Sequence, residues 1–223
     1  LVSAEEVCNY EQTTYLGNHP RPIDPIVLGW NEAAQGAAHG DGQDQNWYIT
    51  QNTPDRLWRI PFSHNLEDPV QCGIDGVECI DLVDTELQTL KYNHFGDPGY
   101  YDPYPIDDGV GYVFIPVEGF EQLPGNEHLP GAVAVFKIDP SMTPVMQYIG
   151  YRAVQPPNKG HAPYVALDSA GFLYTSAGGS PSEAEVVDPR KINKWSVDWV
   201  KLANGEKLEN GELDFLIDSW EIA

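Results

Sequence analysis

Aromatic and β-branched residues fall in short runs along the chain, and turns of Gly, Pro, Asp and Asn separate the runs. One set comprises Asn46-Trp47-Tyr48-Ile49-Thr50 and Arg56-Leu57-Trp58-Arg59-Ile60-Pro61. A second comprises Gly111-Tyr112-Val113-Phe114-Ile115-Pro116-Val117 and Ala132-Val133-Ala134-Val135-Phe136-Lys137-Ile138. A third comprises Gly171-Phe172-Leu173-Tyr174-Thr175-Ser176 and Lys191-Ile192-Asn193-Lys194-Trp195-Ser196-Val197. Short runs of this composition between turn residues predict strands. A further run closes each set: Cys79 to Val83 or Leu87 to Tyr92, then Val145 to Tyr151, then Asp214 to Ile222. Helix signals are scarce, and the best of them, Asp84 to Leu90, is short.

Each set also opens beside a histidine, at His39, His94 and His161, spaced 55 and 67 residues apart. Four short antiparallel strands in roughly 40 to 60 residues is the period of a propeller blade. The expected fold class is therefore all-β, with β-propeller blades of four antiparallel strands. The expected division is an N-terminal extension at 1–38 and blades at 39–92, 93–159 and 160–223, all in one propeller domain. A β-sandwich is the competing architecture, but it gives no reason for a repeated unit.

The stretches Gln35-Gly36-Ala37-Ala38-His39, Asn93-His94-Phe95-Gly96-Asp97 and Gly111 to Gly119 resemble secreted proteins of the broad six-bladed propeller group. That group includes calcium-dependent lactonases and gluconolactonases and repeat modules used as binding scaffolds. The resemblance covers residues 35 to 223 as architecture and carries no catalytic set with it. It also creates a shortfall, because propellers close with four to eight blades and three would leave open faces and strand edges. A second copy, or another chain, supplying the missing blades is the favoured resolution. A small four-bladed ring using residues 1–38 is the alternative.

Composition narrows the function. Among 223 residues, 34 acidic and 12 basic side chains give a formal charge of −22. Phosphate and anionic-lipid surfaces are read by clustered Lys and Arg, so nucleic acid and membrane-surface partners are excluded as expectations. Six Trp, 12 Tyr and 7 Phe exclude a disordered acidic tail. No apolar run reaches the ~20 residues of a membrane helix. The first residue is Leu1, and no basic segment followed by an apolar one precedes the domain, as expected of a mature or trimmed product. Cys72 and Cys79 flank a loop whose two glycines let it fold back, predicting a disulfide and an extracellular or periplasmic location. Two buried free thiols are the alternative, and Cys8 is left over.

Two constellations are candidates for chemistry. Three histidines on innermost strands would converge on the axis, where imidazoles suit copper, zinc or iron. The competing account is one structural His per blade, bonded to the neighbouring blade. The second constellation is acidic. No Lys or Arg occurs from Tyr92 to Phe136, a stretch holding Asp97, Asp102, Asp107, Asp108 and Glu118. Asp41 and Asp44 form a second cluster in a tight turn, and hard oxygens on flexible loops suit calcium. Solvated turn carboxylates are the competing account. Glu118 ends an apolar strand, where burial demands a cation or a hydrogen-bond donor. Tyr100, Tyr101 and Tyr104 can stack on a sugar or pack over a blade edge. No nucleophile elbow, phosphate loop or His-Glu-x-x-His occurs.

The leading expectation is a secreted binding or assembly module with calcium in its acidic loops. The alternative is a metal-dependent hydrolase or oxidoreductase. There His39, His94 and His161 hold the metal, and Asp97 or Glu118 acts as acid/base.

Overall fold

The computed structural model describes residues 29–31, 33–66, 68–92, 94–103, 106, 109–118, 129–154, 164–176, 192–205 and 216–222, the last of these by backbone alone. They form an all-β structure of three antiparallel sheets, each a meander in chain order. Sheet 1 holds β1 (Ala34–His39), β2 (Asn46–Asn52), β3 (Asp55–Pro61) and β4 (Glu78–Asp81). Sheet 2 holds β5 (His94–Phe95), β6 (Gly99–Tyr101), β7 (Gly111–Glu118), β8 (Ala132–Ile138) and β9 (Met146–Ala153). Sheet 3 holds β10 (Val165–Leu167), β11 (Leu173–Ser176), β12 (Ile192–Val197) and β13 (Leu216–Ile222). Two short helices follow, α1 (Glu86–Thr89) after sheet 1 and α2 (Trp199–Asn204) between β12 and β13.

β5 and β6 are two pieces of one edge strand. His94 and Phe95 pair with Glu118 and Val117, while Gly99 to Tyr101 pair with Phe114 to Tyr112 on the same β7. Gly96-Asp97-Pro98 lies between them, and Pro98 has no N–H to donate to a ladder.

Sheet 2 is the middle layer. Every residue of β7 is buried, and its side chains divide by parity as strand geometry requires. Val113, Ile115 and Val117 pack with Tyr48 and Leu57 of sheet 1. Tyr112 and Phe114 pack with Leu173 and Val197 of sheet 3. β8 repeats the division, with Ala132, Ala134 and Phe136 towards sheet 1 and Val133 and Val135 towards sheet 3. A strand apolar on both faces reads as a continuous hydrophobic run, and that explains the unbroken sequence of both strands.

The far side of sheet 1 is closed differently. Ile49, Trp58 and Ile60 lie beneath Leu66, Val70 and Val77 of the loop after β3, with Trp30 alongside. Cys72 and Cys79 are joined in a disulfide with Cα atoms 5.6 Å apart, fastening that loop to β4. No helix among the described residues is long and apolar enough to cross a membrane.

Sheet 1 starts at Ala34, inside the stretch expected to be an extension, so His39 ends a strand that was not foreseen before it precedes the expected one, β2. The signal was weak because Gly36, Ala37 and Ala38 have small side chains with little strand preference. Crowding explains their size: a Cβ on Gly36 would collide with Asp97 of the neighbouring sheet. α2 was also not foreseen, although its signals stand in the sequence. The Asp198 side chain accepts a bond from the Lys201 N–H, and Gly205 ends the helix at φ 66°.

Candidate functional site

β1 and β10 both lie against β6, so the first strands of the three sheets meet. The Gly40–Gln45 turn joining β1 to β2 sits at one end of this contact. There Gly40 leaves no room for a Cβ against Asp44, and the Gly40 N–H donates to the Asn46 carbonyl at 2.8 Å. The turn thus presses Asp44 inward, where its carboxylate becomes a hub. Asn46 Nδ2 donates to Oδ1 and the Tyr48 hydroxyl donates to Oδ2, both at 2.5 Å. The Tyr100 hydroxyl of sheet 2 donates to the same carboxylate, and Arg59 Nη2 lies 3.8 Å from Oδ1.

Burial, reinforced by Asp44, raises the pKa of both phenols well above the ordinary tyrosine range. Both therefore stay protonated and donate at any physiological pH. The rings of Tyr48 and Tyr100 stack across the seam, 5.3 Å between centroids.

Beside this hub a cavity of about 650 Å³ opens between sheets 1 and 2. Sheet 1 contributes Gln43, Asp44, Asn46 and Arg59, and sheet 2 contributes Tyr100, Asp102, Asp139 and Ser141. The Ser141 hydroxyl and N–H both donate to Asp139 and hold its carboxyl below the usual range. Arg59 Nε is buried with no hydrogen-bond partner in the structure. A buried guanidinium donor without an acceptor costs free energy, and the rest of the Arg59 side chain lines the cavity. The wall thus offers fixed donors and fixed acceptors side by side.

His94 occupies the opposite end of the seam. Asn52 Nδ2 lies 2.7 Å from His94 Nδ1, and Asn52 Oδ1 accepts the Phe95 N–H at 2.9 Å. Glu118, the register partner of His94, lies 3.7 Å from its Nε2. Asn52 of sheet 1 thereby clamps the start of sheet 2.

Of the expected histidines, His39 and His94 do not come together. His39 pairs in register with Trp47 and is exposed, its Nδ1 2.9 Å from the Gly40 carbonyl. Asn52 stands five positions beyond Trp47 on β2, roughly 16 Å of strand. His161 lies outside the described residues, as do Asp107 and Asp108. Among the described residues no group of three His, Cys, Asp or Glu side chains can hold a metal ion.

The acidic loops do meet. Asp41, Asp44 and Asp102 all act on the Tyr100 hydroxyl, and the Asp41-Gly42 turn faces Asp102. Asp41 Oδ1 accepts the Gly42 N–H at 2.7 Å, and both Asp44 oxygens accept the bonds from Asn46 and Tyr48. Asp97 is exposed at the break between β5 and β6, away from this cluster.

Arg59, Asp139, Ser141 and Asn52 were not singled out from the sequence. Arg59 carried the one available signal, a cation between the apolar Trp58 and Ile60 in an acidic chain. Tyr100 and Tyr101 do pack over strand edges, Tyr100 on Tyr48 and Tyr101 on Trp199 at 4.6 Å between centroids. Tyr104 lies outside the described residues.

No family model, curated protein or solved structure matches the chain.

Proposed function

We propose that the chain is a propeller-type binding module that takes a small, uncharged, polyhydroxylated ligand in the cavity between sheets 1 and 2. The observation that carries this reading is the cavity wall that sets Arg59 beside Asp44, Asp102 and Asp139. Vicinal hydroxyls satisfy such a wall because each can accept from a guanidinium and donate to a carboxylate. Anions are disfavoured, since carboxylates outnumber the single Arg and the chain carries −22. The volume falls in the usual range for small-molecule sites.

Three four-stranded meanders support the propeller part of the proposal, including its likeness to the lactonase-like group. The disulfide supports an extracellular or periplasmic setting. A histidine-held metal on the axis finds no support in the separation of His39 from His94.

Titration calorimetry against neutral mono- and disaccharides, with sugar phosphates as the anionic comparison, tests the proposal. A neutral sugar should bind, and Arg59→Gln and Asp102→Asn should each weaken it at least about tenfold. Binding only of the phosphates, or of nothing in the panel, overturns it.

A further inference from the structure

Glu78 is the register partner of Arg59 across β3 and β4. Directly opposed residues of an antiparallel pair project to the same face, with Cβ atoms roughly 4.5–5.5 Å apart. That face is the one turned to sheet 2, because Leu57 and Ile80, each two positions along, belong to the apolar cluster shared with sheet 2. Arg59 Nε and Glu78 Oε2 are both buried, and neither has a hydrogen-bond partner. The disulfide at Cys79, the next residue, fastens β4 in place.

Two carboxylates thus attend Arg59, and they do not act alike. Asp44 Oδ1 lies 3.8 Å from Arg59 Nη2. Asp44 also accepts from Asn46, Tyr48 and Tyr100, and three donors spread its charge. The Glu78 oxygen is buried and unbonded, so its charge acts on Arg59 undiluted and weakly screened. The cavity is lined by Arg59 and not by Glu78. A ligand therefore meets the guanidinium and never the Glu78 carboxylate that offsets its charge.

We infer that Glu78 is a positioning residue that cancels the charge of Arg59 through β3, so that the site takes neutral polyols in place of sugar phosphates. Arg59 then serves as a hydrogen-bond donor with little net field of its own, and Asp102 and Asp139 repel any anion that enters. The inference rests on the sugar-cavity reading and names the residue that sets its ligand class.

Titration calorimetry with glucose, galactose and mannose, each beside its 6-phosphate, tests it in about 0.05 M salt. Glu78→Gln keeps the side-chain length and a carbonyl acceptor while removing the charge. The ratio of phosphate to neutral affinity should rise at least about fivefold in this variant. Asp75→Asn removes the same charge from the exposed disulfide loop and should leave the ratio unchanged. A ratio that does not move, a phosphate that Glu78→Gln still does not bind, or an equal rise in Asp75→Asn overturns the inference.

Denaturant unfolding adds a readout without ligand. Arg59→Gln strands the Glu78 charge, so adding Glu78→Gln to that background should raise the unfolding midpoint. With Arg59 in place the same change should not raise it. A rise in both backgrounds, or in neither, overturns the pairing. If the unsubstituted protein binds no neutral sugar, the cavity reading itself falls. Neutral binding with an unmoved ratio removes only the role of Glu78.

Discussion

Tyr48 and Tyr100 stack across the seam between sheets 1 and 2, 13° from parallel, and both hydroxyls end on Asp44. One carboxylate therefore ties a hairpin of sheet 1 to the edge strand of sheet 2. Removing only the hydroxyl, in Tyr100→Phe, should cost about 1 kcal/mol. Tyr100→Ala also removes the ring from Tyr48 and should cost about 3 kcal/mol. Denaturant unfolding of the two variants measures the difference.

Asn52→Ala is expected to loosen the other end of the same seam. Asn52 serves both His94 and the Phe95 N–H, and the lost bonds should cost about 2 kcal/mol by the same unfolding measurement. The early exchange of the Phe95 amide reports the site directly.

Asp55 gives stability a pH dependence of unusual sign. Burial raises its pKa to about 6 from 3.8, and its Oδ1 is buried without a hydrogen-bond partner. Between those two values the folded state holds more protons than the unfolded one, so this group's contribution falls as pH rises through the window. Asp55→Asn should raise the melting temperature at pH 7 to 8 and give little gain near pH 4. Thermal melts of both proteins across that range check the sign.

Opening the disulfide should uncover sheet 1. Cys72→Ser with Cys79→Ser is expected to cost about 2 kcal/mol through the freed loop. Trp58, 2% exposed beneath that loop, should become accessible to a collisional fluorescence quencher in the reduced form.

Gly36→Ala should be costly for a residue in a half-exposed edge strand. Its new Cβ would meet the Asp97 backbone and side chain, and overpacking of this kind costs about 1–3 kcal/mol. Pairing the change with Asp97→Ala should recover only the part due to the side chain.

The sheets were legible in the sequence because their strands are strongly apolar and their turns are rich in Gly and Asp. β7 and β8 announced themselves most clearly, being buried on both faces. β1 hid behind Gly36-Ala37-Ala38, whose smallness reflects the contact with Asp97 and not a turn. The disulfide was legible from Gly73 and Gly76 between its cysteines. The cavity was not, because Arg59 and Tyr100 become neighbours only when two sheets pack, and no local pattern records that. The histidines misled for a similar reason. His39 closes its strand and His94 opens its own, so equal rank in a repeat did not mean equal height in the fold.

The middle position of sheet 2 has a consequence for the order of events during unfolding. β7 and β8 are covered by an apolar layer on each side, so their amides should reach water only when both outer sheets have left. Sheets 1 and 3 can each detach while sheet 2 keeps one covered face. Exchange protection should thus fall from the centre of the stack outward, with β7 and β8 as the last cooperative unit to open.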